Sequence, residues 1–190
     1  MRRRPVIVIS TLVAVIAATS SVAAAQGPTV TNPPNTMEFG IDAGAQFGLG
    51  DISTVRITLP AARARVGFFL NNDSRWSIEP ATFLSYSKAE GGDGVFTYDV
   101  EVGGLYHFRT PSMVTAALPA SVTYVRPFIA VDGFTGGDTD DSEVSAGAGL
   151  GVKIPWRSGL AWRLEANTGY GFDNKAWRIG AFAGLSFFTR

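Results

Sequence analysis

Residues 177–189, WRIGAFAGLSFFT, alternate between two kinds of side chain along their whole length. One set is wholly apolar, and it consists of Trp177, Ile179, Ala181, Ala183, Leu185 and Phe187. The intervening set is mostly small, polar or charged, and it consists of Arg178, Gly180, Phe182, Gly184, Ser186 and Phe188. Because successive side chains of a strand point to opposite faces, a period of two predicts a β-strand with one apolar face.

Seven further segments of the chain show the same alternation, with short turn-like breaks between them. The eight predicted strands are residues 38–48, 56–70, 76–88, 95–109, 121–134, 143–155, 160–172 and 176–189. Short breaks suit neighbouring antiparallel strands, so the pattern predicts an all-β, up-and-down meander. Pro60, Pro80 and Pro127 fall inside three of these segments. Since proline cannot donate to a strand ladder, each indicates a strand end, a bulge or a misplaced boundary.

The N-terminal 25 residues have the pattern of a secretory signal peptide. Arginines at 2–4 precede a mostly apolar run at 6–18, and the alanines at 23–25 form a small-residue cleavage site. The run is shorter than the ~20 residues of a membrane-spanning helix, which favours a cleaved signal over a lasting anchor. Residues 26–36 contain three prolines and predict an extended periplasmic linker. The barrel is then predicted to occupy residues 37–190.

The composition excludes several classes of function. The chain has no cysteine, so an exported fold must be held by strand ladders and apolar burial rather than disulfides. A cysteine for lipid attachment near the cleavage site is missing too. The formal net charge of zero excludes the strong basic field of a nucleic-acid binder. No histidine pair for zinc and no phosphate-binding loop is present, so we expect no cofactor and no metal.

Alternation alone leaves two architectures open, a soluble barrel with an apolar interior and a membrane barrel with an apolar exterior. The polar face is rich in glycine, serine and alanine, which fits a cramped lumen better than a solvated surface. The strands are long enough to cross a bilayer, for which about 9–11 residues suffice. Aromatic residues also gather near the strand ends, as at the two headgroup levels of a membrane barrel. The predicted rims are Phe47, Tyr86, Phe96, Tyr98, Tyr170, Phe172 and Trp177 at one end, and Phe39, Phe68, Trp76, Tyr106, Phe108, Trp162 and Phe187 at the other.

With its signal peptide, eight strands, short turns and aromatic final strand, the chain resembles the small outer-membrane β-barrels of the outer membrane protein A/X type. The final strand resembles the C-terminal signal that their insertion machinery reads, although Thr189 and Arg190 follow the last aromatic here. The resemblance covers nearly the whole mature chain. It implies an eight-stranded antiparallel transmembrane barrel in the outer membrane, with both termini in the periplasm. Its specificity for activity is low, since the same barrel serves several functions.

The inward face of the predicted barrel carries acids and bases in nearly equal number. The set is Glu38, Asp42, Arg63, Arg65, Glu79, Asp99, Glu101, Arg126, Asp132, Lys153, Arg163, Glu165 and Arg178. An eight-stranded barrel has a lumen just wide enough for side chains to fill, so these charges should form a hydrogen-bonded network that closes it. The alternative is a gated ion pore. Which acid meets which base depends on strand register.

Two further features have the residue types of a site. His107 is the only histidine, and a catalytic role would require a nucleophile and an orienting acid, of which only Ser112 is close in sequence. A structural histidine is the expectation. Residues 136–142, GGDTDDS, resemble a cation-binding loop, but Glu143 follows too soon for the bidentate ligand of an EF-hand. A solvated outer turn is therefore predicted.

The sequence predicts a non-enzymatic outer-membrane barrel with a structural or interaction role in the cell envelope. The expected partners are outer-membrane lipids, lipopolysaccharide and the barrel-insertion machinery, with no nucleic acid, and the barrel is expected to be a monomer. Three alternatives stay open, which are a small ion channel, a lipid-modifying enzyme that uses His107, and a soluble barrel that binds an apolar ligand inside.

Overall fold

The computed structural model describes residues 36–49, 54–70, 75–88, 94–109, 121–136 and 139–189. They form eight strands, β1 (Met37–Leu49), β2 (Thr54–Phe69), β3 (Trp76–Lys88), β4 (Gly94–His107), β5 (Val122–Gly136), β6 (Thr139–Arg157), β7 (Leu160–Gly171) and β8 (Trp177–Thr189). Each strand pairs antiparallel with its neighbours in sequence, and the sheet closes into a barrel. The predicted eight-stranded up-and-down barrel is therefore confirmed.

The predicted signal peptide and nearly all of the predicted linker, residues 1–35, lie outside the described residues. Thr36 is described, and it belongs to the barrel wall rather than to a linker, because its amide donates to the Thr189 carbonyl at 3.1 Å. Its own carbonyl accepts from the Phe69 amide at 3.2 Å. Among the residues with described structure, no helix is long and apolar enough to cross a membrane.

Pairing of β1 with β8 closes the barrel. The register runs without a break from Met37 opposite Thr189 to Leu49 opposite Trp177. Closure matters because an unpaired strand edge would expose backbone donors and acceptors. In lipid these groups would have no hydrogen-bond partners, and in water the edge would be a site of aggregation. We call the end that holds Met37 and Thr189 the terminal end, and the end that holds Leu49 and Trp177 the loop end.

One predicted turn is shorter than expected. The sequence places residues 136–142 in a turn, whereas β5 continues to Gly136 and β6 already begins at Thr139. Backbone pairing of Thr135 with Asp140 and of Phe134 with Asp141 carries the ladder through the acidic run. The physical reason is that a carboxylate such as that of Asp141 is exposed and stays solvated while its backbone pairs. The other strand ends lie within two residues of the prediction.

The prolines behave in two different ways. Pro80 and Pro127 lie within strands, opposite Val102 and Ala148 in unbroken registers, so the expected strand end, bulge or misplaced boundary is wrong at these two positions. Near Pro60 the register between β1 and β2 shifts between Asp42 and Gly44, as expected for a bulge. The partners of these two residues are Arg63 and Thr58, so β2 carries extra residues at this point. A second shift follows Pro155 in β6.

The apolar face of the sheet points outward. In β5, Ile129 is 63% exposed while Arg126 is 0% exposed, and in β7 Leu164 is 43% exposed while Arg163 is 1% exposed. This arrangement is the reverse of a soluble barrel, which would bury its apolar residues and solvate its charges. The structure thus has the exterior of a membrane barrel.

Aromatic side chains mark both ends of this exterior, as predicted. The loop end carries the exposed Phe47, Phe96, Phe172 and Trp177, and the terminal end carries the exposed Phe39, Phe68, Trp76, Phe108, Trp162 and Phe187. Tyr98, Tyr106 and Tyr170 are partly exposed, and the Tyr86 side chain lies outside the described part of the chain. Trp156, which the sequence assigned to a turn, joins the terminal-end ring by stacking on Trp162 at 5.8 Å between ring centroids.

Glycines face the lumen where two strands or a bulky side chain come close. A Cβ added to Gly184 would overlap the Asp42 carboxylate and the Ile41 carbonyl, whereas one added to Gly104 would meet nothing within 4 Å. We expect Gly184→Ala to lower the free energy of unfolding by about 1–3 kcal/mol through overpacking. Gly104→Ala is the matched control and should leave stability nearly unchanged. Urea unfolding in detergent micelles measures both, and equal stability of the two variants would contradict the tight packing at Gly184.

Candidate functional site: the charged lumen

The lumen collects the charged residues that alternate with the apolar ones. Eleven of the thirteen predicted charges are buried, namely Glu38, Asp42, Arg63, Arg65, Glu79, Glu101, Arg126, Asp132, Lys153, Arg163 and Glu165. The other two, Asp99 and Arg178, are partly exposed toward the loop end. All thirteen charged residues share the inner face because every strand contributes alternate residues to the interior.

Arg65 ties β2 to β1 and β8. Its Nε donates to Asp42 Oδ2 at 3.0 Å, and its Nη1 donates to Glu38 Oε1 at 2.6 Å. Its Nη2 donates to Ser186 Oγ at 2.7 Å and to the Leu185 carbonyl at 3.3 Å. All three guanidinium nitrogens are therefore satisfied, which is the condition for burying an arginine without a large cost.

Glu79 and Glu165 form the centre of the network. Arg163 donates from Nη2 to Glu79 Oε1 at 2.9 Å, and its Nη1 and Nη2 also bond to Glu79 Oε2 and Glu165 Oε2. Arg126 binds the Glu165 carboxylate through Nη2 at 2.8 Å and through Nε at 3.2 Å. Tyr124 donates its hydroxyl to Glu165 Oε2 at 2.8 Å. Charge-assisted and bidentate bonds of this kind are the strong ones in proteins.

Glu101 is held less well than the other acids. Its Oε1 lies 2.9 Å from Arg63 Nη2 and 3.1 Å from Arg126 Nη1, but none of these three buried atoms makes a well-aligned hydrogen bond. A cavity of about 20 Å³ adjoins them, lined by Gln46, Arg63, Thr82, Phe83, Asp99, Glu101 and Phe182. A single water molecule needs roughly 10–15 Å³ of such space, so the cavity is far from a continuous pore.

His107 lies at the terminal end of the network, next to Lys153. Lys153 donates from Nζ to Glu38 and to His107 Nε2, the latter at 2.9 Å, and His107 Nδ1 lies 3.1 Å from the Arg75 carbonyl. An ammonium only donates and a carbonyl only accepts, so the ring is neutral and carries its proton on Nδ1. Both ring nitrogens are thus engaged in structural bonds. Ser112, the nearest serine in the sequence, lies outside the described residues.

Aromatic rings close the terminal end around this lysine. Lys153 Nζ lies 5.2 Å from the ring centroid of Tyr124, 5.6 Å from that of Phe188 and 5.8 Å from that of Phe69. Each distance is within reach of a cation–π attraction. Phe188 therefore points into the lumen, while its neighbour Phe187 is 45% exposed on the lipid-facing side.

A second group of charges lies at the loop end. Arg178 donates from Nη1 to Asp132 Oδ2 at 2.5 Å and from Nη2 to Glu143, whose Oε1 also accepts from the Asn174 amide at 3.1 Å. Asp99 lies opposite Asp132 in the register of β4 and β5. Asp141 and Ser142 are exposed, and among the described residues no group of three potential metal ligands forms.

Sequence reasoning missed Glu143 and Tyr124. Glu143 directly follows an acidic run that predicts a turn, although it has the same parity as Ser145 and Gly147 in β6 and is buried. Tyr124 has the same parity as Arg126, but Pro127 obscured the alternation in that segment. Counting by twos from the clearest part of each strand would have found both residues.

The inner network is electrically balanced. It contains the five acids Glu38, Asp42, Glu79, Glu101 and Glu165, and the five bases Arg63, Arg65, Arg126, Lys153 and Arg163. Because a buried net charge would be expensive, this balance allows ten ionised groups to occupy one lumen. These ten residues come from seven strands, β1 to β7, so the network connects those strands through the interior. The hydrogen bond from Arg65 to Ser186 connects β8 to it as well.

No protein-family model matches this sequence, and no curated protein matches it either. Several solved structures are similar to it. Neisserial surface protein A is 12% identical, with a TM-score of 0.54 over 80% of this chain and 97% of that one. The N-terminal barrel domain of Pseudomonas aeruginosa OprF is 17% identical, with a TM-score of 0.48 over 82% and 99% of the two chains. Ail, the attachment invasion locus protein of Yersinia pestis, is 11% identical, with a TM-score of 0.48 over the same shares.

The likeness at these identities is one of fold. The chain has the architecture of the small eight-stranded outer-membrane barrels, as the alternation, the aromatic rims and the terminal strand indicated. Function has to be argued from the lumen and the exterior themselves.

Proposed function

We propose that this protein is a non-enzymatic outer-membrane β-barrel with a structural or interaction role in the cell envelope, and that the ion-pair network closes its lumen. The observation that carries the proposal is the inverted distribution of side chains. Arg126 and Lys153 are 0% exposed inside the barrel, while Ile129 and Leu84 are 63% and 56% exposed outside it. Only a lipid surround makes such an exterior stable.

The partners follow from the same surface. The apolar belt would contact the acyl chains of the surrounding lipids, those of lipopolysaccharide included. The insertion machinery would engage β8, whose alternating outward residues end in an aromatic. A barrel with all eight strands paired needs no second copy to satisfy its backbone, which supports a monomer. The signal peptide would deliver the chain to the envelope.

Gel mobility tests the proposal. Protein extracted from membranes in detergent should migrate differently before and after boiling, because a closed sheet has no edge at which to unravel. The protein should also be found in the outer-membrane fraction. Recovery in the soluble periplasmic fraction, with the same mobility before and after boiling, would contradict the proposal and favour a soluble barrel that binds an apolar ligand.

The channel alternative makes an opposite prediction about conductance. The wild-type protein should show no sizeable ion conductance in planar bilayers, since ion pairs around Glu79 and Glu165 occupy the described lumen and the cavity beside Glu101 measures about 20 Å³. The side chains of Arg63 and Glu101 lie 2.9 Å apart beside this cavity. The double variant Arg63→Ala with Glu101→Ala should widen the lumen and raise the conductance. Asp141→Asn, at an exposed carboxylate of the loop end, is the control. Steady conductance of the wild-type protein would support a channel.

The enzyme alternative rests on His107. Its ring nitrogens bond to Lys153 and to the Arg75 carbonyl, which suits packing rather than proton transfer to a substrate. Lipid profiles of cells that carry His107→Gln should therefore match those of the wild type. A change in the lipid profile with normal amounts of folded barrel would restore the enzyme alternative.

A further inference from the structure

The two ends of the barrel carry opposite charge outside the lumen network. At the terminal end, the described residues expose Arg75, Arg109 and Arg157 and no acid. At the loop end they expose Asp141 and Asp173 against Lys175, apart from Arg178 and Glu143, which pair with each other in the lumen. Among the described residues, the exposed charge is therefore positive at the terminal end and negative at the loop end.

Each of these three arginines adjoins an exposed aromatic residue. Arg75 precedes Trp76, Arg109 follows Phe108, and Arg157 follows Trp156. The three aromatic side chains are between 51% and 55% exposed, and the three arginines are exposed as well. The aromatic ring of the terminal end and its positive charges thus occupy the same level of the barrel.

The geometry holds these side chains at that level. The Arg157 guanidinium carbon lies 5.4 Å from the centroid of the Trp156 ring. Trp76 packs on Tyr106 at 4.7 Å between centroids, and Tyr106 packs on Phe108 at 5.6 Å. The backbone beside them is fixed, because the Arg75 carbonyl accepts a hydrogen bond from the His107 amide at 2.8 Å.

Indole rings prefer the boundary between acyl chains and headgroups, and arginine stems lie along apolar surface while the guanidinium reaches the polar layer. There a guanidinium binds a phosphate through two parallel hydrogen bonds. We propose that the terminal-end ring of tryptophans and arginines is a docking surface for anionic phospholipid headgroups in the leaflet that it faces. The inference rests on the proposed function, which puts this exterior in a bilayer.

The four tryptophans of the chain provide a local test. Trp76, Trp156 and Trp162 lie at the terminal end, and Trp177 lies at the loop end, so single-tryptophan variants report on each end separately. One variant keeps Trp156 and carries Trp76→Phe, Trp162→Phe and Trp177→Phe. The other keeps Trp177 and carries Trp76→Phe, Trp156→Phe and Trp162→Phe. Each is reconstituted into phosphatidylcholine vesicles that contain phosphatidylglycerol, with bromine on the acyl chains of one lipid at a time.

Quenching by the two brominated lipids gives the relative affinity of each end for the anionic lipid, whichever way the barrel inserts. Brominated phosphatidylglycerol should be enriched about fivefold at Trp156, the amount that one interfacial arginine supplies. At Trp177 it should show no enrichment. Arg157→Gln in the Trp156 reporter should remove most of the preference, whereas Lys175→Gln in the Trp177 reporter should change nothing.

Three results would overturn the inference in recognisably different ways. Equal enrichment at Trp156 and Trp177 would mean that the end charges do not select lipids. Enrichment at Trp156 that survives Arg157→Gln, in a protein that keeps its heat-dependent mobility, would remove the arginine from the site. If brominated phosphatidylcholine quenches neither reporter, the exterior is not in lipid, and the proposed function fails along with the inference.

Discussion

Replacing Glu79 by glutamine should lower the free energy of unfolding of the barrel by about 3–5 kcal/mol, the usual loss when one partner of a buried ion pair is removed. Glu79 is 0% exposed and accepts hydrogen bonds from Arg163 and Arg65. The amide is nearly the same size as the carboxylate, so the variant removes charge and leaves packing intact. Arg163 then loses its principal anionic acceptor, and Arg65 loses a weaker one at 3.4 Å. Urea titration of the protein folded in detergent micelles, followed by tryptophan fluorescence, measures the loss.

The control is Asp141→Asn, which makes the same chemical change at an exposed carboxylate of the loop end. It should shift stability by no more than about 0.5 kcal/mol. The double variant Glu79→Gln with Arg163→Met should recover part of the loss, because it removes the unpaired charge as well. Equal stabilities of Glu79→Gln and Asp141→Asn would show that the lumen is hydrated enough to screen its charges, and would count against a closed network.

Placing an arginine on the lipid-facing side at mid-barrel, as Leu164→Arg, should destabilise the folded barrel by about 2–4 kcal/mol. Leu164 is 43% exposed and lies opposite Ala183, which in turn lies opposite Ala43, each at the middle of its strand. At that depth no water or headgroup is available to the guanidinium, so the bilayer must deform or the side chain must stretch to an interface. Reversible unfolding from phospholipid vesicles gives the free energy.

Leu70→Arg is the matched control, since Leu70 is another exposed leucine but follows β2 at the terminal end. At an interface the cost of arginine falls to about 0–1 kcal/mol. The difference between the two positions, rather than either value alone, reports membrane depth. If both variants were as stable as the wild type, the apolar exterior would not be facing lipid.

The architecture could be predicted from the sequence because each strand carries its own period. The alternation in residues 177–189 specifies a strand with two unlike faces, whatever the rest of the chain does. The aromatic rims followed from counting along the strands in the same way. The predicted turn at residues 136–142 was too long, because its glycines and acidic residues are typical of turns whereas β6 already begins at Thr139.

The membership of the charged lumen was also visible before the structure, since parity assigns a residue to a face. The prediction missed Glu143 and Tyr124, because a polar run and a proline obscured the alternation around them. The lipid-facing position of Trp156 was missed for a related reason, because a register shift follows Pro155 and moves β6 beyond the predicted strand end.

What the sequence determined by itself was therefore the eight strands, their faces and the polar character of the interior. Only the tertiary structure decided which charges meet. Glu38 bonds to Lys153, which is 115 residues away, and Arg163 bonds to Glu79 across 84 residues. Those pairs depend on register and barrel closure, because a shift of two residues would preserve every face and change every partner. A strand's period is a local property, whereas its register is fixed only when all eight strands close together.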